Sequence, residues 1–206
     1  GAFTFCGANA GSRNWDAALD LRLVYDTVCG DVPGASIPGG AQGLPADSTL
    51  TPSDVAARVF ACTGLLPFPP SPPPTPDQAA RLQKIMDVAQ IPANFVQTNM
   101  WYVTFGMGDL VHDQGKLRGK IGTGNAEVDY GDVEINENIE RVSPRKGPAK
   151  RLARNYTPNG DVDGTRHIAL HTDKDGLVIV ENQGEYASVA PASKFTVAVA
   201  VEGVPT

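Results

Sequence analysis

Apolar residues along this chain follow two periodicities, separated by stretches that have neither. Short unbroken runs lie towards the ends. Residues 2–6 are apolar except for Thr4 and stop at Gly7, which predicts a buried strand. Residues 195–201 are apolar at every position but one, which predicts a strand covered on both faces, as in a parallel sheet. A further short strand is predicted over 167–171. Between these ends the apolar positions recur at helical spacing. Asn14 can cap a helix over 15–29 that carries Ala18, Leu21, Tyr25 and Val28 on one face and is stopped by Gly30. Thr51-Pro52-Ser53-Asp54 is a helix start, with Thr as N-cap, Pro in the first turn and an acid at the third position. Val55 with Val59, and Ala56 with Phe60, then face a core, and Gly64 ends the helix. Thr75-Pro76-Asp77-Gln78 opens another through a capping-box pattern, followed by a stripe of Leu82, Ile85, Met86 and Ala89. A third helix is predicted over 92–111, with Phe95, Val103 and Leu110 on one side, and others over 132–142, 144–155 and 181–189.

The stretches without periodicity predict loops. Residues 30–50 are rich in Gly, Pro, Ala and Ser, and 115–131 are glycine-rich and polar. Residues 67–76 hold seven prolines, which forces an extended or turn-like path. That segment suits a rigid connector between helices better than a ligand for a proline-binding module. Taken together the pattern is a strand, a long helical segment, and a strand–helix–strand unit, which places the chain in the α/β class.

Composition narrows the partners. The net charge of −6 argues against nucleic acid. The basic cluster over 145–154 reads as a solvated helix face. No run approaches the roughly 18–20 apolar residues that span a bilayer. Of the three cysteines, Cys6 ends the first strand and Cys29 ends the first helix. A helix returning along a strand could bring them together, so a Cys6–Cys29 disulfide is expected, with export to a secreted or periplasmic location and Cys62 left over.

Motifs for cofactors and metals are weak. Gly119-Lys120-Ile121-Gly122-Thr123-Gly124 lacks the spacing of a phosphate-binding loop. The stretches beginning at Asn159 and His171 echo a calcium loop, but their twelfth positions are Leu170 and Asn182 where a glutamate is needed. His112, His167 and His171 show no zinc-type spacing. Neither a cofactor nor a metal is therefore expected. Trp101, Tyr102, Phe105 and Met107 concentrate apolar surface late in the helix predicted over 92–111. They could pack that helix on the sheet or form a wall facing a substrate.

The segment with chemistry is His171-Thr172-Asp173-Lys174-Asp175-Gly176-Leu177-Val178. It puts acids just past the carboxyl end of a parallel strand, where α/β sheets build their sites. Leu170-His171, followed by Asp175 and Val178, resembles the acid loop of α/β-hydrolases. The resemblance implies that Asp175, ahead of Asp173, is the acid of a Ser-His-Asp triad. It also implies a partial α/β-hydrolase fold, with parallel strands and a large helical cap. On that scheme 1–30 are core strand and helix, 31–165 the cap with its proline-rich connector, and 166–206 the closing βαβ unit. The family's order is serine, acid, histidine. No G-x-S-x-G is present; Gly34-Ala35-Ser36-Ile37-Pro38 fails at its last position. The resemblance thus implies that the serine and histidine come from sequence outside these residues, in a serine hydrolase cleaving small carboxylic esters. A peptidase on the same fold, or a non-catalytic interaction module, are the alternatives. No nucleic acid and no membrane span enter the scheme.

Overall fold

The computed structural model describes residues 1–67, 72–173, 175–176 and 178–200. Part of the proline-rich connector, 68–71, lies outside the described residues, as do Lys174, Leu177 and 201–206. The chain divides into two compact units. One is Trp15–Ala149. The other joins Gly1–Asn14 to the described residues from Lys150 on.

The first unit is helical. It holds α1 (Asn14–Cys29, all but its first residue), α2 (Pro52–Thr63), α3 (Pro76–Ala89), α4 (Ala93–Trp101), α5 (Met107–His112) and α6 (Val133–Asn138), while α7 (Lys146–Asn155) spans the division. Two helix starts form as their residues dictate. Thr51 Oγ1 accepts the Asp54 N–H and the Asp54 carboxylate accepts the Thr51 N–H. Thr75 and Gln78 repeat the exchange at α3. Gly64, at φ 74°, closes α2 in the left-handed conformation that a glycine tolerates. Leu19, Leu23, Val24, Val55, Val59, Ile85, Val96 and Met100 make the core.

Because Leu19, Leu23 and Val24 are buried in that core, α1 belongs to the helical unit. The division between the compact units falls after Asn14 and Ala149. Two side chains of α1 also hold the adjoining loop. Tyr25 donates to the Ala35 carbonyl at 2.8 Å, and buried Arg22 donates to the Ile37 and Pro38 carbonyls at 2.6 and 3.1 Å. These bonds, together with Ala35, Ile37 and Ala41 in the core, keep the loop against the helix.

The helix predicted over 92–111 is interrupted. Tyr102–Gly106 widen into a π turn between α4 and α5. The Thr104 carbonyl there accepts the Leu44 N–H from the preceding loop at 2.9 Å. Backbones meet closely at this point: a Cβ on Gly108 would lie 2.6 Å from the Leu44 carbonyl oxygen. An inserted partner of this kind is a recognised cause of a π turn. α6 is likewise shorter than predicted. After it, Val142 N–H donates to Asn125 Oδ1 and Asn125 N–H to the Val142 carbonyl, bonds that replace a helical continuation.

The disulfide joins Cys29 to Cys62, with Cα atoms 5.7 Å apart, so the expected Cys6–Cys29 pairing is corrected. Both cysteines sit at the carboxyl ends of neighbouring core helices, α1 and α2, and both are fully buried. Cys6 is outside any disulfide. A disulfide still favours an oxidising compartment, and no helix of the described residues is long and apolar enough to cross a membrane.

The second unit holds β1 (Ala2–Phe5), β2 (His167–Thr172), α8 (Glu181–Val189) and β3 (Phe195–Ala200). The strands form a parallel sheet in the order β1-β2-β3. One face is covered: Ala169, Ala190 and Phe195 pack with Tyr186 and Val197, and the His167, Tyr186 and Phe195 rings interlock with centroids 4.7–5.6 Å apart. On the other face Phe3, Phe5 and Ile168 are 65%, 58% and 48% exposed. β1, expected to be buried, is an exposed edge strand among the described residues. An apolar run does not reveal what covers it.

Candidate active site at the strand tips

The parallel register sets the site. Phe5 pairs with Leu170, and the Cys6 N–H extends the ladder by donating to the Leu170 carbonyl at 2.9 Å. Cys6 then turns the chain out of the sheet at φ 47°, an uncommon conformation for a residue with a Cβ. The residue after Leu170 is His171, so the ends of the two strands carry a thiol and an imidazole side by side.

Asp175 lies three residues past the end of β2, the central strand. It is 7% exposed, and its Oδ1 accepts the Val178 N–H at 3.1 Å. That local bond holds the carboxylate just beyond the strand tip. Asp173, its competitor, is exposed. A carboxylate oxygen of Asp175, Cys6 Sγ and one ring nitrogen of His171 all lie within 4.8 Å of one another.

His171 is fully buried. Its Nδ1 is 2.8 Å from the Thr172 carbonyl oxygen. A carbonyl only accepts, so Nδ1 is the donor of that hydrogen bond. Nε2 has no hydrogen-bond partner among the described residues.

A polar layer beneath the site escaped the sequence reading. Gln183, buried in α8, donates to the Gly7 carbonyl at 2.9 Å and accepts from Asn9 Nδ2 at 2.7 Å. Asn182 donates to Asn14 Oδ1 and to the Ile179 carbonyl, both at 3.0 Å. These bonds fix the turn that follows Cys6. The one available signal was Asn182-Gln183 early in a helix of otherwise ordinary polarity.

The other predicted residues are placed as follows. In the helical unit Trp101 and Tyr102 are exposed, with ring centroids 5.3 Å apart, and Phe105 lies 5.8 Å from Trp101. Met107 is buried in the core and does not join that aromatic surface. Of the histidines, His167 belongs to the ring cluster behind the sheet. In the loop that echoes a calcium site, Asn159 Oδ1 and Asp161 Oδ1 accept the N–H groups of Asp161 and Asp163, so that pattern serves as consecutive Asx turns.

Searches find no match to the chain among protein-family models, curated proteins or solved structures. The functional reading therefore rests on the site itself.

Proposed function

We propose that this chain supplies the acid of a Ser-His-Asp hydrolase acting on small carboxylic esters, with Asp175 as that acid. The observation that carries the reading is the position of Asp175: buried, held by the Val178 N–H, and three residues beyond the carboxyl end of the central strand of a parallel sheet. A triad acid orients an imidazole and stabilises it once protonated, which demands a fixed carboxylate of this kind. The serine, the histidine and the oxyanion donors come from sequence beyond these residues. The uncovered sheet face supports that view. Parallel sheets are buried on both sides, whereas Phe3, Phe5 and Ile168 leave an apolar surface open. By chain order, the helical segment between β1 and β2 takes the place of the cap that many esterases carry.

The test is Asp175→Asn in the full open reading frame that contains this chain, beside Asp173→Asn. Turnover of p-nitrophenyl esters and labelling by a fluorophosphonate are the readouts. Asp175→Asn is expected to lower kcat by about 10³–10⁴ with KM little changed, because the imidazole loses its orienting charge. Asp173→Asn is expected to stay within tenfold of the parent. Equal effects of the two substitutions, or fluorophosphonate labelling absent from the parent, would overturn the reading. Hydrolysis of aminoacyl anilides in place of esters would reassign the substrate to peptides.

A further inference from the structure

We infer that Cys6, His171 and Asp175 form a binding site for a zinc-class divalent transition metal. This goes beyond the hydrolase proposal and does not rest on it. The three donors come from two strand ends and one loop, and are 165 or more residues apart for Cys6 against the others. The register of β1 on β2 brings them together.

Chemistry selects the ion. A thiol, an imidazole and a carboxylate are the sulfur, nitrogen and oxygen ligands that borderline-soft Zn²⁺ takes together. Calcium and magnesium, which require oxygen ligands, do not suit the set. The imidazole has one ring nitrogen that no hydrogen bond among the described residues uses. Its Nδ1–H is held by the Thr172 carbonyl, the outer contact that ligating histidines usually make, and Nε2 is buried without a partner among the described residues. A buried ring nitrogen without a partner is an unmet polar group, which an ion would satisfy. The donors lie within 4.8 Å of one another. Tetrahedral zinc separates such donors by roughly 3.5 Å, so binding needs a closure of about 1 Å. Cys6, at a bend and only half buried, can supply it by side-chain rotation. Cys6 binds as the thiolate, its proton passing to the buffer. Three protein ligands leave the fourth position to water.

Cys6 is the single thiol of the chain, because the other two of its three cysteines form the disulfide. That makes the test direct. The 206-residue chain with its disulfide intact is stripped with chelator and titrated with Zn²⁺ alone, and then with Co²⁺. One Zn²⁺ per chain is expected, together with at least about tenfold slower reaction of Cys6 with a thiol reagent. Co²⁺ should give a thiolate-to-metal charge-transfer band. Cys6→Ser should abolish the band, and His171→Asn and Asp175→Asn should each weaken Zn²⁺ protection of the thiol by more than tenfold. Circular dichroism of each variant reports whether it has kept its fold, and the conservative Cys6→Ser change decides the matter if a buried substitution unfolds the chain. Absence of saturable binding, a Co²⁺ spectrum without the thiolate band, or Zn²⁺ affinity within threefold of the parent in Cys6→Ser would overturn the inference.

Discussion

Reducing the Cys29–Cys62 disulfide should cost the helical unit about 4 kcal/mol. The two residues are 33 apart in the chain. Closing a loop of that length removes conformational entropy from the unfolded chain, and the loop-entropy relation gives about 4 kcal/mol at room temperature. That is a large share of the roughly 5–15 kcal/mol that holds a typical domain folded. Both cysteines are fully buried, so the reduced thiols remain packed, and most of the effect is on the unfolded state. The assay is urea unfolding followed by tryptophan fluorescence. The chain has two tryptophans, Trp15 and Trp101, and both belong to the helical unit. With an m value of about 2 kcal/mol/M, reduction should lower the midpoint by about 2 M. A loss below about 1 kcal/mol would refute the argument, as would three titratable thiols in the unreduced, denatured chain.

Two further predictions concern other parts of the fold. Gly108→Ala should destabilise the helical unit by about 1–3 kcal/mol although alanine favours helix, because its Cβ would press on the Leu44 carbonyl. Gly184→Ala in α8 meets nothing within 4 Å and should instead stabilise by about 0.5–1 kcal/mol. Thermal unfolding of the two variants with the same sign would contradict this account. Burial pushes the Asp26 carboxyl up to about 6, against the pull of Arg22. Since the folded state then holds a proton that the unfolded chain releases near pH 4, this contribution is present below about pH 4 and lost as pH rises through about 6. Asp26→Asn should flatten the fall in urea midpoint over that range, and an unchanged pH profile would remove Asp26 as its source.

What was legible in the sequence was local. The capping boxes at Thr51 and Thr75 form because their partners lie three residues away. The Asp175 bond is equally local, since Val178 donates it. Features that depend on distant chain were not legible. The π turn at 102–106 needs Leu44 from a loop nearly sixty residues earlier. The cysteine pairing needed the carboxyl ends of α1 and α2 to meet in the core, whereas a helix returning along a strand suggested Cys6 with Cys29. The meeting of Cys6 with His171 is set by strand register, which no spacing rule within one segment reports. β1 was misread for a related reason. Burial of an apolar run depends on elements outside it, and here one face of the sheet stays open.

The two proposals place opposite demands on one carboxylate. To orient an imidazole, Asp175 must offer its charge to a histidine; to ligate a metal, it must give that charge to the ion. Binding of the two is mutually exclusive at that oxygen, so their coupling is negative and, by linkage, reciprocal. A catalytic histidine brought to Asp175 weakens the metal site, and a bound metal withdraws the acid from the triad. The geometry gives this antagonism a physical basis. Asp175 lies within 4.8 Å of Cys6 and His171, close enough to be drawn in. His171, held through Nδ1 by its own main chain and lacking a partner at Nε2 among the described residues, leans the pocket towards the ion; the Val178 N–H holds the Asp175 carboxylate at the strand tip, where the triad scheme needs it.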